Sequence, residues 1–356
     1  MNKNKTLLSL FTIILLVIAS CSKDSSPAAV SPDKAKQTFA AVNTDLASDI
    51  GGLNAAPGNI ALASFSNLTG TPGNPLGRTR SFKKPGEIRE ALKAGITSVR
   101  QMLLKASGNT RMQGDTPFGF NDKKGVYIYN FGTGEFDKSQ TTSDIIKIDY
   151  PKNESSVEND AELQISAYTE AETPQGYNPT LVQMAIYLPV GGTKEVELKL
   201  TAGYDGDGNP NKGSIDLFVN PYTISLSFDD SQPVSATEAF SFSKDDKVLI
   251  GIELSATFAS AADKENGNPP SAVSGHLQLE NVRFDVSIDG VKASTAQSNN
   301  DYILIVVSID GGTAGHVVWV ADQFGDEQPY VQYNDQTQES LDSVFADLKD
   351  QLDSIG

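Results

Sequence analysis

The chain has 356 residues, 38% of them hydrophobic, with 28 Lys and Arg against 45 Asp and Glu, a formal charge of −17. A surface that acidic is repelled by nucleic-acid phosphates and by anionic headgroups, so nucleic acid is excluded as a partner. Cys21 is the single cysteine, which rules out an intrachain disulfide and a zinc–thiolate cluster and leaves the fold to core packing.

In chain order, Lys3 and Lys5 come first, then an apolar run over residues 7–19. That run is short of the ~20 residues needed to span a bilayer as a helix. A basic start, a short apolar stretch and small residues at its end describe a cleaved signal. The final residues, Ile18-Ala19-Ser20-Cys21, resemble the lipobox of bacterial lipoproteins. The resemblance implies removal of residues 1–20 and acylation of Cys21, on its thiol (by palmitate, for example) and on the new amino terminus. Two or more acyl chains hold a protein stably at a membrane, where one does not. Residues 21–31 follow as a polar tether. Ser22 stands where an Asp would signal inner-membrane retention, so the chain looks like an outer-membrane lipoprotein. Lys23-Asp24 is similar to a short form of the charged tract of Bacteroidota surface lipoproteins. The implied location is the outer membrane, lipid-anchored, on its periplasmic side or at the cell surface.

Residues 32–356 are expected to form one domain. Ser31-Pro32-Asp33 reads as an N-cap, a first-turn proline and a first-turn acid. Phe39, Val42, Leu46 and Ile50 then recur at helical spacing, with Gly51-Gly52 as the expected stop. Residues 66–86 have loop composition, and Ile88, Leu92, Ile96, Val99 and Leu103 predict a second helix. These helices occupy 32–106. From residue 125 the period changes to two. The runs 196–202, 222–228 and 250–258 alternate apolar and polar, as half-buried strands do. Strands are also predicted at 126–131, 145–150, 162–168, 181–188, 215–219, 302–309, 316–321 and 330–333. Leu277 and Leu279 are out of phase with Val282, Phe284, Val286 and Ile288, which predicts a β-bulge at Glu280-Asn281. Residues 302–307 are apolar on both faces, as a central or helix-covered strand would be. Leu341, Val344, Phe345, Leu348, Leu352 and Ile355 form the stripe of a C-terminal helix over 340–355.

The fold class expected is therefore α+β, mainly β. Strands follow one another over 125–333 without crossover helices, so the sheet is expected to be antiparallel. Two N-terminal helices and a C-terminal amphipathic helix are expected to pack on it. This element order resembles that of LolA/LolB-type lipoproteins, a curved half-barrel plugged by helices. A β-sandwich, as in fimbrillin-type surface lipoproteins, is the alternative.

The sharpest chemical motif is residues 205–216. Asp205, Asp207, Asn209, Asn211 and Asp216 stand at positions 1, 3, 5, 7 and 12 of a calcium loop. Pro210 replaces the glycine of the sharp turn, and strands flank the loop, so a polar hairpin is the competing reading. Otherwise no cofactor is expected. The two histidines, His276 and His316, each follow a glycine at a strand start, and neither a nucleophile elbow nor a zinc-binding His pair is present. No catalytic residue can be singled out, and the chain is not expected to be an enzyme. Arg78-Thr79-Arg80-Ser81-Phe82-Lys83-Lys84 is the one basic cluster, read as a solvated linker, and Trp319 is read as core. The expected function is non-catalytic binding of an apolar ligand, such as a lipid or acyl chain, between sheet and helices. The alternative is a structural or adhesin-type surface lipoprotein, or a subunit of an envelope complex.

Overall fold

The computed structural model describes residues 28–69, 100, 101, 104 and 116–355. Cys21, most of the tether, the basic cluster and most of the second predicted helix lie outside them. Of that helix, Arg100, Gln101 and Leu104 are described, and all three are helical.

Helix α1 spans Pro32–Ala55. It starts where the sequence predicts, with the Ser31 side chain accepting from the Lys34 amide and Pro32 in the first turn. It does not stop at Gly51-Gly52. Gly52 lies against the Tyr222 ring, where a Cβ would stand 2.2 Å from the phenolic oxygen. The glycine permits close approach of helix to sheet, and the helix continues through it. Helix α2, Pro57–Leu68, follows almost at once and was not foreseen. Gly58 in its first turn faces the Glu195 carbonyl, 2.7 Å from where a Cβ would be. Both helices thus meet the sheet closely, α1 through Gly52 and α2 through Gly58.

The short helix α3 (Phe120–Lys123) leads into sixteen strands. They are β1 (Gly125–Asn130), β2 (Glu135–Gln140), β3 (Ile146–Tyr150), β4 (Ala161–Thr173), β5 (Gly176–Leu188), β6 (Thr193–Tyr204), β7 (Pro210–Val219), β8 (Tyr222–Asp229) and β9 (Ser235–Lys244). Next come β10 (Lys247–Thr257), β11 (Ala272–Leu279), β12 (Val282–Asp289), β13 (Ile303–Ile309), β14 (Gly312–Ala321), β15 (Glu327–Tyr333) and β16 (Gln338–Ser340). Helix α4 (Ala261–Glu265) lies between β10 and β11, and α5 (Gly290–Ala293) between β12 and β13. Helices α6 (Leu341–Val344) and α7 (Ala346–Ile355) end the chain, so the predicted C-terminal helix is broken at Phe345.

All sixteen strands belong to one sheet, in sequence order from β16 down to β3, then β1 and β2. The described strands do not divide into two sheets, as those of a sandwich would. Every pair is antiparallel except β1–β3, which is parallel because the β1–β2 hairpin turns the chain back across β1. The phase change at Glu280-Asn281 is a two-residue hairpin turn and not a bulge, with Glu280 at φ 51° and Leu279 paired with Val282. Residues opposed across such a turn share a face yet lie three apart in sequence, so the parity of the pattern must shift. Strands β2, β9 and β16 were also unforeseen.

The buried hydrophobic residues lie mainly on one face. Ile146, Ile165, Met184, Leu198, Leu217, Ile224, Phe242, Ile250, Leu279, Val282 and Ile309 are successive cross-strand partners from β3 to β13. A flat sheet of sixteen strands would be ~70 Å wide at ~4.8 Å per strand. Helix α1, at 1.5 Å per residue, is only ~36 Å long. Even so, Tyr127 on β1 and Tyr333 on β15 are both buried. The sheet is therefore curled around its helices. Two clusters fill it, one built on Phe65 of α2 with β1 to β8, the other on Phe39 of α1 with β8 to β15. Leu53, Ile224 and Phe240 border both. Strand β13 lies inside the sheet between β12 and β14, as expected, but its outer face is open, and Leu304 is 54% exposed.

One buried polar residue ties the last helix down. The Asn43 amide donates to Asp347 Oδ2 (2.8 Å), and its carbonyl oxygen accepts from the Leu348 amide (2.8 Å). Asn43→Ala would leave the Leu348 amide without its partner in a buried place, at a cost of ~1–3 kcal/mol. Urea unfolding should show that loss, with faster amide exchange in α7. Unchanged exchange there would mean that α7 is held by packing alone.

Candidate functional site

Among the described residues, a broad, open recess of about 520 Å³ lies on the outer face of the sheet at the β1–β2 hairpin. Ile128, Asn130, Asp137 and Ser139 line it from the strands, joined by Tyr129 and by Phe131 and Gly132 of the turn. Because Tyr127 points into the core, Ile128 and Asn130 must point outward. Ile128 faces Asp137 across the hairpin. The Asn130 side chain is fixed at both ends. Its amide donates to Asp137 Oδ2 (2.8 Å), and its oxygen accepts from the Gly132 amide (2.9 Å). Phe131 is half exposed and stands edge-on to Tyr129 at 5.3 Å. The recess offers an apolar floor, an aromatic ring and one hydrogen-bonded carboxylate.

Beside it, the ladder brings two acids together. Asp149 on β3 opposes Ile128 on one side and Glu162 on the other. Glu162 is buried, 5% exposed, with Gln164 donating to it and the Lys147 ammonium 3.6 Å away. One Asp149 oxygen is buried with no hydrogen-bond partner among the described residues. Burial, then the Glu162 charge, push the Asp149 carboxyl above its usual value, against a smaller opposing effect of Lys147. Glu162 is buried, Asp149 is half-buried, and neither lines the recess. A raised carboxyl pKa penalises the folded state above the unfolded-state value and leaves it unpenalised below. Asp149→Asn should therefore stabilise the protein at neutral pH by ~0.2–1 kcal/mol, the range for relieving opposed like charges. Melting curves should show the gain at pH 7 and its disappearance below pH ~4. A gain equal at both pH values would show that charge is not its source.

The five predicted calcium ligands do not converge. Asp205, Asp207 and Asn209 lie in the β6–β7 turn, and Asp205 Oδ1 accepts from the amides of Asp207 (3.0 Å) and Asn209 (2.8 Å). The Asn209 side-chain oxygen accepts from Gln175 (3.2 Å). Asn211 is already in β7, its side-chain oxygen buried without a partner among the described residues. Asp216 opposes Lys199 and Ser225. It stands six residues beyond Pro210, ~20 Å along the strand at ~3.3 Å per residue. The turn is a polar hairpin organised by Asp205. Among the described residues, no group of three or more His, Cys, Asp and Glu is placed to hold a metal.

His276 is half-buried on β11, opposite Glu253 and Asp285. Burial, aided by Arg283, holds its pKa below the usual value. His316 lies on β14, opposite Val306 and Gln332. Trp319 is in the core at 5% exposure, its backbone amide and carbonyl both bonded to the Asn300 side chain. Sequence reading also missed a knot of loops at one end of the sheet. Lys264 Nζ donates to the carbonyls of Asp230 (2.7 Å), Gln232 (2.5 Å) and Ser235 (2.8 Å) and pairs with the Asp230 carboxylate (2.7 Å). At the same end of the sheet, Glu327 accepts from the Ser298 hydroxyl (2.5 Å) and the Asn299 amide (2.9 Å). No periodic signal marks such residues, because they meet only through the register of the strands.

Comparison of the chain with protein-family models, with curated proteins and with solved structures gave no match in any of the three.

Proposed function

We propose that the chain is a lipid-anchored cell-envelope protein of the outer membrane that works through its outer β surface, as a structural or adhesin-type module or a subunit of an envelope complex. The observation that carries this reading is the filling of the concave side. Phe39 and Phe65 are 1% and 0% exposed, and helices α1 and α2 occupy the space where an acyl chain would have to lie. The lipobox-like Ile18-Ala19-Ser20-Cys21 supports the anchor, with Cys21 as the lipidated residue. Among the described residues no helix is long and apolar enough to cross a membrane, so attachment through Cys21 does not compete with a helical span there. In cells fed labelled palmitate, the wild type should take up label and float with membranes, and Cys21→Ser should do neither. Equal labelling of the two would refute the anchor.

A second reading, non-catalytic binding of a small apolar ligand, is favoured by the β1–β2 recess with its half-exposed Phe131. The recess is shallow and largely open, so it would cover one side of such a ligand and leave the other in solvent. Native mass spectrometry of the purified protein separates the two. The structural reading expects the mass of the lipidated chain alone, and a stoichiometric apolar companion lost in Phe131→Ala would replace it with the second.

A further inference from the structure

The sheet has two unlike poles. At one, adjacent strands are joined by short turns, among them Asn220-Pro221, Asp245-Asp246, Glu280-Asn281 and Asp310-Gly311. These turns are zipped to the neighbouring chain: the Asp245 amide donates to the Pro221 carbonyl (3.1 Å), and the Asp310 amide to that of Asn281 (3.0 Å). At the other pole lie the longer connections 205–209, 230–234, 258–271, 290–302 and 322–326, which hold α4, α5 and the Lys264 knot. Strand β14, ten residues long, sets the poles ~33 Å apart at ~3.3 Å per residue.

The amino-terminal end of the body is fixed at the short-turn pole. The Val30 amide donates to the Thr313 carbonyl (2.9 Å), and Asn334 donates to the Val30 carbonyl (3.0 Å). The Ala28 carbonyl packs on Gly312, beside the Asp310-Gly311 turn. Ala28 is seven residues from Cys21. At a full extension of ~3.5 Å per residue, that chain reaches at most ~25 Å.

Resting on the reading that Cys21 is lipidated, we propose that the short-turn pole faces the lipid surface and that the long-loop pole is presented away from it. The covalent limit excludes the inverted pose. Turning the body over would put Ala28 ~33 Å or more from the bilayer, beyond the reach of the tether. Attraction does not set the pose, because Asp245, Asp246, Glu280 and Asp310 of the membrane-facing turns outnumber the flanking Lys244 and Lys247, the latter paired with Glu280, so anionic headgroups do not draw these turns in. Tether length does. The surface available to an envelope partner is then the long-loop pole and the outer flank of the sheet.

The single native cysteine makes the test direct, because once acylated it leaves an introduced thiol as the one labelling site. Asn281→Cys marks the short-turn pole, and Phe324→Cys, at an 80% exposed position, marks the other. Each lipidated variant would carry a fluorophore and be reconstituted into phosphatidylethanolamine–phosphatidylglycerol vesicles containing nitroxide-headgroup lipid. Quenching at residue 281 should exceed that at 324 several-fold, and twenty Gly-Ser residues inserted after Ser26 should abolish the difference. Equal or reversed quenching with the native tether overturns the orientation, and a difference that survives the long tether overturns the tether as its cause. Flotation of the same samples is scored separately. Variants that fail to float overturn the anchor itself, and the orientation falls with it.

Discussion

Phe39→Ala is expected to remove ~3–5 kcal/mol, the cost of deleting a buried phenylalanine side chain. The ring is 1% exposed, with centroids 6.4 Å from Phe284, 6.2 Å from Tyr333 and 5.8 Å from Phe345. It therefore joins α1 to β12, to β15 and to the break between α6 and α7. None of these partners can collapse into the space without pulling a strand or helix from its place, so the cavity remains. Against a usual total of ~5–15 kcal/mol, about a fifth or more of the stability goes. Trp319, the one tryptophan, lies in the same cluster and reports the loss in urea titrations followed by fluorescence. The Lys36–Glu339–Tyr333 group beside it adds an acid dependence. The Tyr333 hydroxyl, then Lys36, hold the Glu339 carboxyl below its usual value. That contribution is present above the unfolded-state pKa and fades as pH falls through the folded one. A loss under ~1 kcal/mol in Phe39→Ala would show that α1 is not what the second core is built on.

Much of this core was legible because burial on a single face imposes a period of two. Val196, Leu198 and Leu200 are buried and their neighbours on β6 are not, so alternation alone located the strand. β9 escaped because Ala236, Ala239 and three serines dilute its alternation, leaving Phe240 and Phe242 as the only bulky apolar residues. β2 escaped as an edge strand with polar residues on both faces. β13 was legible as a central strand from its two apolar faces, although Leu304 on its outer face is 54% exposed. The same limit governed chemistry. Asp149 and Glu162 meet only through cross-strand register, and Asp205 and Asp216 are separated by the same strand rise that the calcium spacing ignores. A linear spacing predicts convergence only if the intervening chain folds back, and β7 runs straight.

Phe65→Ala is the counterpart test of a two-core body. The ring is fully buried, 5.0 Å from Tyr150 and 6.1 Å from Phe136. Around it, Tyr150 donates its hydroxyl to the Ala61 carbonyl (3.1 Å), and Ser64 donates to the Pro151 carbonyl (2.7 Å). These contacts fasten α2 to the end of β3. The truncation should again cost ~3–5 kcal/mol, but at a different place. Regions with separate cores open as separate units, so amide protection should fall most in β1 to β7 and least in β11 to β15. The Trp319 transition should move less than the far-UV circular dichroism transition, since the tryptophan sits in the other cluster. In Phe39→Ala the order should reverse. The two losses should nearly add in the double variant, because distant sites without shared partners are independent. Coupling of more than ~1 kcal/mol, or identical exchange patterns in the two single variants, would mean that the border of Leu53, Ile224 and Phe240 fuses the clusters into one cooperative core. The body would then respond as a single unit to any partner that engages its long-loop pole.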